Sequence, residues 1–161
     1  MRVRIETATK DDATDIFQLI VALAIYEKEP DAVQCSEDDL REQLQMENPP
    51  FHCLLAKKNG ESVGFALYFF SYSTWRGRPC LYLEDLFVLP NARREGTGLA
   101  LMKELGKIAL EKDCPRMEWS VLNWNQLAID FYDSLGAIPM NEWTRYRLED
   151  TQIAQLVRGE R

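Results

Sequence analysis

The sequence lacks several features that would assign it to a common class of protein. Its longest apolar stretch, residues 63–70, is far shorter than the roughly 20 residues of a membrane-spanning helix, so no membrane partner is expected. The N-terminus, Met-Arg-Val-Arg-Ile-Glu, has no apolar core of a signal peptide. Acidic side chains also outnumber basic ones, 26 to 19. The net charge of −7 argues against nucleic acid as a partner and suits a cationic, amine-bearing ligand.

The sequence also lacks the spacing patterns of metal sites and of thiol nucleophiles. The four cysteines, Cys35, Cys53, Cys80 and Cys114, are scattered along the chain, so we expect no metal and reduced thiols in a cytoplasmic protein. His52 is the only histidine, and it falls in the middle of a predicted strand. A catalytic Cys/His pair is therefore not favoured.

The elements that the sequence does contain predict an α+β fold with a mixed sheet. A length of 161 residues and a hydrophobic content of 46% predict one domain over residues 1–161. Capping patterns at Thr9/Asp12 and Ser36/Asp39 predict two helix starts, and Asn59-Gly60 predicts a hairpin turn. The predicted strands are residues 2–6, 51–57, 62–72, 80–88, 116–122, 137–140 and 143–149, and the predicted helices end near residues 26–30, 46, 112 and 134, before a last short polar helix.

Residues 81–100 combine a strand, a basic turn and the start of a helix, which together predict an anion site. The amides of a helix N-terminus point at whatever lies in the preceding turn. Gly96 and Gly98 permit a close backbone approach, and Arg93 and Arg94 add positive charge. The turn lacks the Gly-Lys-Ser/Thr of a nucleotide-hydrolysing P-loop, and Leu101 interrupts the Gly-x-Gly-x-x-Gly of a dinucleotide site.

Several motifs resemble known acetyltransferases. The pattern Arg93-x-x-Gly96-x-Gly98 resembles the acetyl-CoA pyrophosphate loop of the GNAT N-acetyltransferases. Further motifs resemble the spermidine/spermine acetyltransferase family, and within it the thialysine acetyltransferase branch. These motifs cover nearly the whole chain: Tyr26-Glu27-Lys28, Phe51-His52-Cys53-Leu54, Tyr72-Ser73-Thr74-Trp75-x-Gly77-Arg78, Tyr82-Leu83-Glu84-Asp85, Val121-Leu122-x-Trp124-Asn125-Gln126-x-Ala128-x-Asp130-x-Tyr132 and Gly136-Ala137.

The resemblance implies both a fold and an activity. The fold is the GNAT fold, a central, mostly antiparallel mixed sheet with a splayed parallel strand pair, flanked by helices. The activity is transfer of an acetyl group from acetyl-CoA to a primary amine of a small molecule, thialysine-like or a diamine or polyamine, directly within a ternary complex. A homodimer is also implied. Two alternatives stay open: a protein lysine or N-terminal acetyltransferase, and a non-catalytic acyl-CoA-binding module.

The resemblance assigns two proton transfers to Glu84 and Tyr132. An alkyl ammonium has a pKa of about 10 and must lose a proton before it attacks a thioester, and the glutamate matching Glu84 takes this proton through water. The tyrosine matching Tyr132 protonates the departing thiolate. Strand alternation puts Glu84 and Asp85 on opposite faces unless a bulge intervenes, so which of the two is the base stays open. Either carboxylate could instead pair with an arginine, and Tyr132 could be a core residue.

The resemblance also assigns residues to two binding sites. The acetyl-CoA contacts are Leu86, Phe87, Val88, Arg93, Arg94, Glu95, Gly96, Thr97, Gly98, Leu99, Asn125, Gln126, Leu127 and Ala128. The acceptor contacts are Tyr26, Glu27, Trp75, Glu84, Asp85, Glu118, Trp119, Ser120 and Glu142. Three of these residues have a second interpretation: Phe87 as plain core, Trp75 as a dimer contact, and Glu27 as part of a solvated Glu-Lys-Glu run.

Two positions depart from the family pattern. Ser73 stands where polyamine-preferring members carry an acid, which favours a shorter amine such as thialysine. Arg94-Glu95 replaces the usual Gly-x in the loop. A carboxylate near a pyrophosphate is unfavourable unless it points outward or pairs with an arginine.

Overall fold

A computed structural model describes residues 2–159 of the chain. These residues form two compact units, the first ending at Leu122 and the second beginning at Asn123. One acetyltransferase domain over residues 1–161 stays a prediction.

The first unit is built on a five-stranded mixed sheet. Its elements are β1 (Arg4–Thr7), α1 (Ala13–Tyr26), α2 (Glu37–Leu44), β2 (His52–Lys58), β3 (Glu61–Ser73), β4 (Arg78–Val88), α3 (Thr97–Glu111) and β5 (Met117–Glu118). The strands lie in the order β1-β2-β3-β4-β5. The first three pairs are antiparallel and the β4–β5 pair is parallel, as expected for a strand that follows a helical crossover.

Local hydrogen bonds explain where the first elements begin. The Thr9 amide donates to the Asp12 carboxylate at 2.8 Å, which opens a short 3-10 turn leading into α1. The Ser36 amide donates to the Asp39 carboxylate at 2.9 Å, and the Asp39 amide donates back to the Ser36 hydroxyl at 3.1 Å. Both capping boxes are the ones that the sequence predicts. Asn59-Gly60 joins β2 to β3 with positive φ values of 55° and 81°.

Helices pack on both faces of this sheet. One face carries α1 and α2 over a core of Ala13, Ile16, Leu19, Leu23, Leu40, Phe51, Cys53, Leu55, Phe65, Leu67 and Phe87. The alternate residues of the strands point to the other face, where α3 lies. Burial raises the pKa of Tyr68, and the negative charge of Glu104 on α3 adds to this shift. Burial lowers the pKa of His52, and the positive charge of Lys112, the residue after α3, adds to that shift.

Two sequence predictions about strands need correction. The predicted strand 116–122 is only two residues long, and the predicted strands 137–140 and 143–149 do not form. The second unit instead contains two helices, α4 (Gln126–Ser134) and α5 (Asp150–Val157). An alternating pattern of apolar residues predicts a strand because it predicts which side chains are buried. A strand also needs a neighbouring strand that pairs with its backbone groups, and the pattern does not show whether one is present.

No helix within residues 2–159 is long and apolar enough to cross a membrane. In the same residues, no three histidine, cysteine or acidic side chains are grouped so that they could hold a metal ion.

Candidate functional site

Strand β4 contains a bulge at Glu84. Leu67 of β3 lies opposite Asp85, and the next residue of β3, Tyr68, lies opposite Leu83, so Glu84 is the extra residue of β4. Residues opposite each other on neighbouring strands share a face. Leu83 therefore lies with Tyr68 on the α3 face, whereas Asp85 lies with Leu67 on the α1 face. The bulge at Glu84 thus interrupts the regular alternation of β4 side chains between the two faces of the sheet, and Leu83 and Asp85 lie on opposite faces.

Three carboxylates, Glu27, Glu84 and Asp85, form what we call the acidic group. Burial raises the pKa of Asp85 to about 7, and the negative charges of Glu84 and Glu27 add to the shift. Burial also raises the pKa of Glu27, which directly follows α1. Glu84 on the bulge is exposed. Within residues 2–159 no ion pair joins these three acids to a cation, so the group suits an ammonium ligand.

The Arg93 side chain joins α1 to the end of β4. Its guanidinium carbon lies 4.8 Å from the centre of the Tyr26 ring and 5.4 Å from that of Phe87. Its Nε donates to the Val88 carbonyl at 2.9 Å. Contacts of a guanidinium with ring faces and with a carbonyl are both stabilising. Arg93 thus holds Tyr26, the neighbour of Glu27, against the strand that carries the other two acids.

The parallel pairing of β4 with β5 ends before the bulge. Leu81 lies opposite Met117 and Tyr82 lies opposite Glu118, and the paired residues stop there. Residues 86–88 continue to pair with β3 on their other side. The strand pair is therefore splayed, as predicted. Beyond Tyr82 the β5 side of β4 has backbone groups that a ligand can pair with.

Residues 93–99, which we call the anion loop, lead from β4 into α3. Arg94 and Gly96 have positive φ values of 65° and 79°. The first hydrogen bond of α3 is the one that the Ala100 amide donates to the Gly96 carbonyl. The amides of residues 97–99 lie before it, in the first turn, where amides have no carbonyl of their own helix to donate to. No atom lies within 4 Å of the position that a Cβ on Gly96 would take. A diphosphate can therefore approach these amides, and the loop fits the donor that the sequence predicts.

Glu95 of the anion loop forms an ion pair with Lys58. The Lys58 Nζ donates to the Glu95 Oε2 at 2.6 Å, across 37 residues of sequence. This hydrogen bond, together with the charge of Lys58, lowers the pKa of Glu95. The partner is a lysine of β2, whereas the sequence suggested an arginine.

The second unit carries the remaining predicted donor contacts and Tyr132. Asn125 caps α4, because its Oδ1 accepts a hydrogen bond from the Ala128 amide at 3.3 Å. Gln126 donates to Asp130 at 2.6 Å. The half-buried Tyr132 has its ring 5.6 Å from that of Phe131. Asn125 is buried, and this hydrogen bond satisfies its side-chain oxygen.

The structure brings some predicted acceptor residues together and not others. Tyr26 and the acidic group are joined by the contacts described above. Trp75 is 81% exposed in the turn before β4, on the order of 20 Å along the strand from Glu84. Trp75 therefore does not adjoin the acidic group within the first unit, and its role as an acceptor or a dimer contact stays a prediction. Glu118 and Ser120 are exposed, Trp119 is half-buried and Glu142 is exposed in the second unit.

Sequence reasoning missed two parts of this site. Nothing in the sequence near Lys58 points to an ion pair with a residue 37 positions away. The close approach of β3 to β4 had a signal, because Gly64 interrupts an otherwise apolar strand. A Cβ on Gly64 would lie 2.9 Å from the Phe87 carbonyl oxygen.

Comparison with known proteins agrees with this geometry. Residues 15–137 match the acetyltransferase (GNAT) family. A thialysine N-epsilon-acetyltransferase of Bos taurus is 41% identical over 96% of both chains. A human spermidine/spermine N(1)-acetyltransferase-like protein 1 is 33% identical over 95% of this chain and 23% of its own length. An integron cassette protein from the mobile metagenome of V. cholerae has a TM-score of 0.81 and 31% identity, and 98% of each chain is covered.

These findings confirm the α+β fold class and the family resemblance. The curated relatives are named as N-acetyltransferases, and GNAT acetyltransferases use acetyl-CoA. The chain belongs to the GNAT acetyltransferase family, and it is an acetyltransferase.

Proposed function

We propose that this acetyltransferase moves an acetyl group from acetyl-CoA to a primary amine of a small molecule, directly within a ternary complex. The observation that carries this proposal is the acidic group at the bulge of β4, which lies on the same strand that leads into the anion loop. A cationic amine is attracted to the first, and an anionic diphosphate is attracted to the second. One strand thus connects the acceptor site to the donor site.

The acidic group binds the acceptor and prepares it for attack. Glu27 and Asp85 attract the ammonium, and the exposed Glu84 removes its proton through a water molecule. Asp85, with its pKa near 7, is the second candidate for this base, because a base works best when its pKa is close to the operating pH. The neutral nitrogen then attacks the acetyl carbon.

The donor site holds acetyl-CoA and returns a proton to it. Acetyl-CoA supplies the thioester-bound acetyl group when it is bound. Leu86, Phe87 and Val88 contact its acetyl and pantetheine groups through their backbone, the amides of the anion loop bind its diphosphate, and residues 125–128 contact the pantetheine arm. Tyr132 donates its phenolic proton to the departing sulfur, as the matching tyrosine of the family does.

Thialysine or a similarly short amine is the preferred acceptor, with diamines and polyamines second. The relatives named above support both classes. Ser73 is buried, and its hydroxyl accepts hydrogen bonds from the Arg76 amide at 3.2 Å and from the Arg116 guanidinium at 3.4 Å. A neutral residue here supplies no negative charge to a distant ammonium of a long polyamine.

The protein acts as a homodimer in the cytoplasm. Apolar side chains along residues 138–148 support a partner surface, since Trp143 is 68% exposed and Tyr146 is 91% exposed. The four free cysteines, of which Cys53, Cys80 and Cys114 are buried, are compatible with a reducing compartment.

The test is acetyl-CoA turnover, followed by thiol release, on thialysine, lysine, spermidine, spermine, putrescine and a histone-tail peptide. Tyr132→Phe is assayed beside the unmodified protein. We expect preference for thialysine, and for Tyr132→Phe a fall in kcat of about 10²–10⁴-fold without loss of CoA binding. Preference for the peptide would favour a protein acetyltransferase. Binding of CoA without turnover on any amine would favour an acyl-CoA-binding module.

A further inference from the structure

The ion pair between Lys58 and Glu95 connects the anion loop to the end of strand β2. Lys58 is the last residue of β2, next to the Asn59-Gly60 turn, and its Nζ lies 2.6 Å from the Glu95 Oε2. The Lys58 side chain is 23% exposed and that of Glu95 is 41% exposed. This contact links the anion loop to a strand that carries none of the predicted site residues.

Glu95 poses an electrostatic problem for a loop that binds an anion. It is the only acid among residues 93–99, and it lies two positions before the first residue of α3. A carboxylate beside a helix N-terminus is attracted to the same amides as a diphosphate, and it repels the diphosphate. Glu95 carries a negative charge at neutral pH like other surface glutamates, and the contact with Lys58 lowers its pKa from the ordinary value of 4.5.

We propose that Lys58 is a positioning residue for donor binding. By neutralising Glu95 and holding its carboxylate at the end of β2, Lys58 keeps the anion loop free for the diphosphate of acetyl-CoA. The inference rests on the proposed donor site. It adds to that site a residue from a strand outside it, and it assigns Lys58 no contact with acetyl-CoA itself.

The neighbouring lysine provides a matched control. Lys57 is also partly buried on β2, but its Nζ lies 3.5 Å from Asp12 and 3.8 Å from Asp15. Its ion pairs thus join β2 to α1 and to the turn before it. Lys57→Ala removes the same charge from the adjacent position without touching the anion loop.

The experiment measures the Kd of CoA by titration calorimetry for the full chain and its variants. We expect Lys58→Ala to raise the Kd by about tenfold, because Glu95 then faces the diphosphate unneutralised. Lys58→Arg keeps the charge and stays within about threefold of the unmodified protein. Glu95→Gln, and the double variant Lys58→Ala with Glu95→Gln, bind CoA as tightly as the unmodified protein or more tightly, and Lys57→Ala leaves the Kd unchanged.

The double variant decides between action through Glu95 and direct contact with the ligand. If it binds as weakly as Lys58→Ala alone, Lys58 contacts the diphosphate itself and the proposal is wrong. An unchanged Kd for Lys58→Ala also overturns it. In turnover assays, the loss in Lys58→Ala is expected in the KM for acetyl-CoA and not in kcat. If the unmodified protein does not bind CoA, the proposed donor site fails, and this inference fails with it.

Discussion

At the scale of single residues, the two neighbouring acids of β4 differ in burial, and a bulge lies between them and the preceding part of the strand. Glu84 is exposed, whereas Asp85 is turned towards the α1 core beside Leu67 and near Cys53. The sequence identified both acids, with an alternation that puts them on opposite faces unless a bulge intervenes. It could not decide whether the bulge forms, because that depends on how β3 pairs with β4 along its whole length.

We predict that Asp85 makes the stability of the protein depend on pH. Its folded pKa of about 7 lies above the ordinary value of 3.8, so the folded state holds the proton more tightly. The free energy of unfolding therefore falls as the pH rises from about 4 to about 7, by on the order of 3 kcal/mol, and levels off above pH 7. Asp85→Asn removes this fall.

Urea unfolding at several pH values between 4.5 and 8 measures this effect. Glu61→Gln, at the exposed start of β3, is the control and keeps the profile of the unmodified protein. An Asp85→Asn profile as steep as that of the unmodified protein would show that other groups cause the dependence.

At the scale of elements, signals contained in a few adjacent residues predicted the structure well. The two capping boxes and the Asn59-Gly60 turn lie where the sequence puts them, because their hydrogen bonds and φ values are local. The predictions failed where an element depends on a distant partner. Residues 137–149 alternate in polarity without forming strands, and β5 pairs over two residues only.

Two glycine substitutions test the packing of these elements. Gly64→Ala brings a Cβ to 2.9 Å from the Phe87 carbonyl, where the paired backbones of β3 and β4 cannot separate easily, so we expect a loss of about 1–3 kcal/mol. Gly106→Ala, inside α3, meets no atom within 4 Å and has a helical conformation. It should stabilise the protein by about 0.4–1 kcal/mol.

Thermal and chemical unfolding of both variants give these values. If Gly64→Ala proves neutral, the approach of the two strands is looser than described. A loss of stability in Gly106→Ala would mean that α3 is packed against something at that position.

At the scale of the whole molecule, the site could be predicted only in part. The family motifs identified the acids and the anion loop, because the negative charge of a carboxylate and the anion binding of a Gly-containing turn can be read from the residue types alone. They could not predict that Arg93 lies against Tyr26 and Phe87, or that Lys58 pairs with Glu95, because both contacts join segments far apart in sequence. Such contacts depend on the folded chain.

We predict that the protein in solution has twice the 18.7 kDa mass of one chain. The side chains of Trp143 and Tyr146 are largely exposed, and covering them in a second copy would bury apolar surface. Sedimentation at micromolar concentrations should give the dimer mass, and the double variant Trp143→Ser with Tyr146→Ser should shift it to that of one chain.

Leu110→Ser removes an equally exposed apolar side chain from α3 and is expected to leave the dimer intact. A single-chain mass for the unmodified protein at all concentrations contradicts the prediction.

The bulge at Glu84 also determines what a deletion in β4 would do. Glu84 has no residue of β3 opposite it, so its loss would join Leu83 to Asp85 in a regular strand, with Leu83 still facing α3 and Asp85 still facing the α1 core. A deletion at position 84 should therefore leave the packing of the sheet unchanged and remove the exposed carboxylate. In related genes, a gap at this point of an alignment would mark a protein that keeps the fold and the anion loop but lacks one acid of the acidic group.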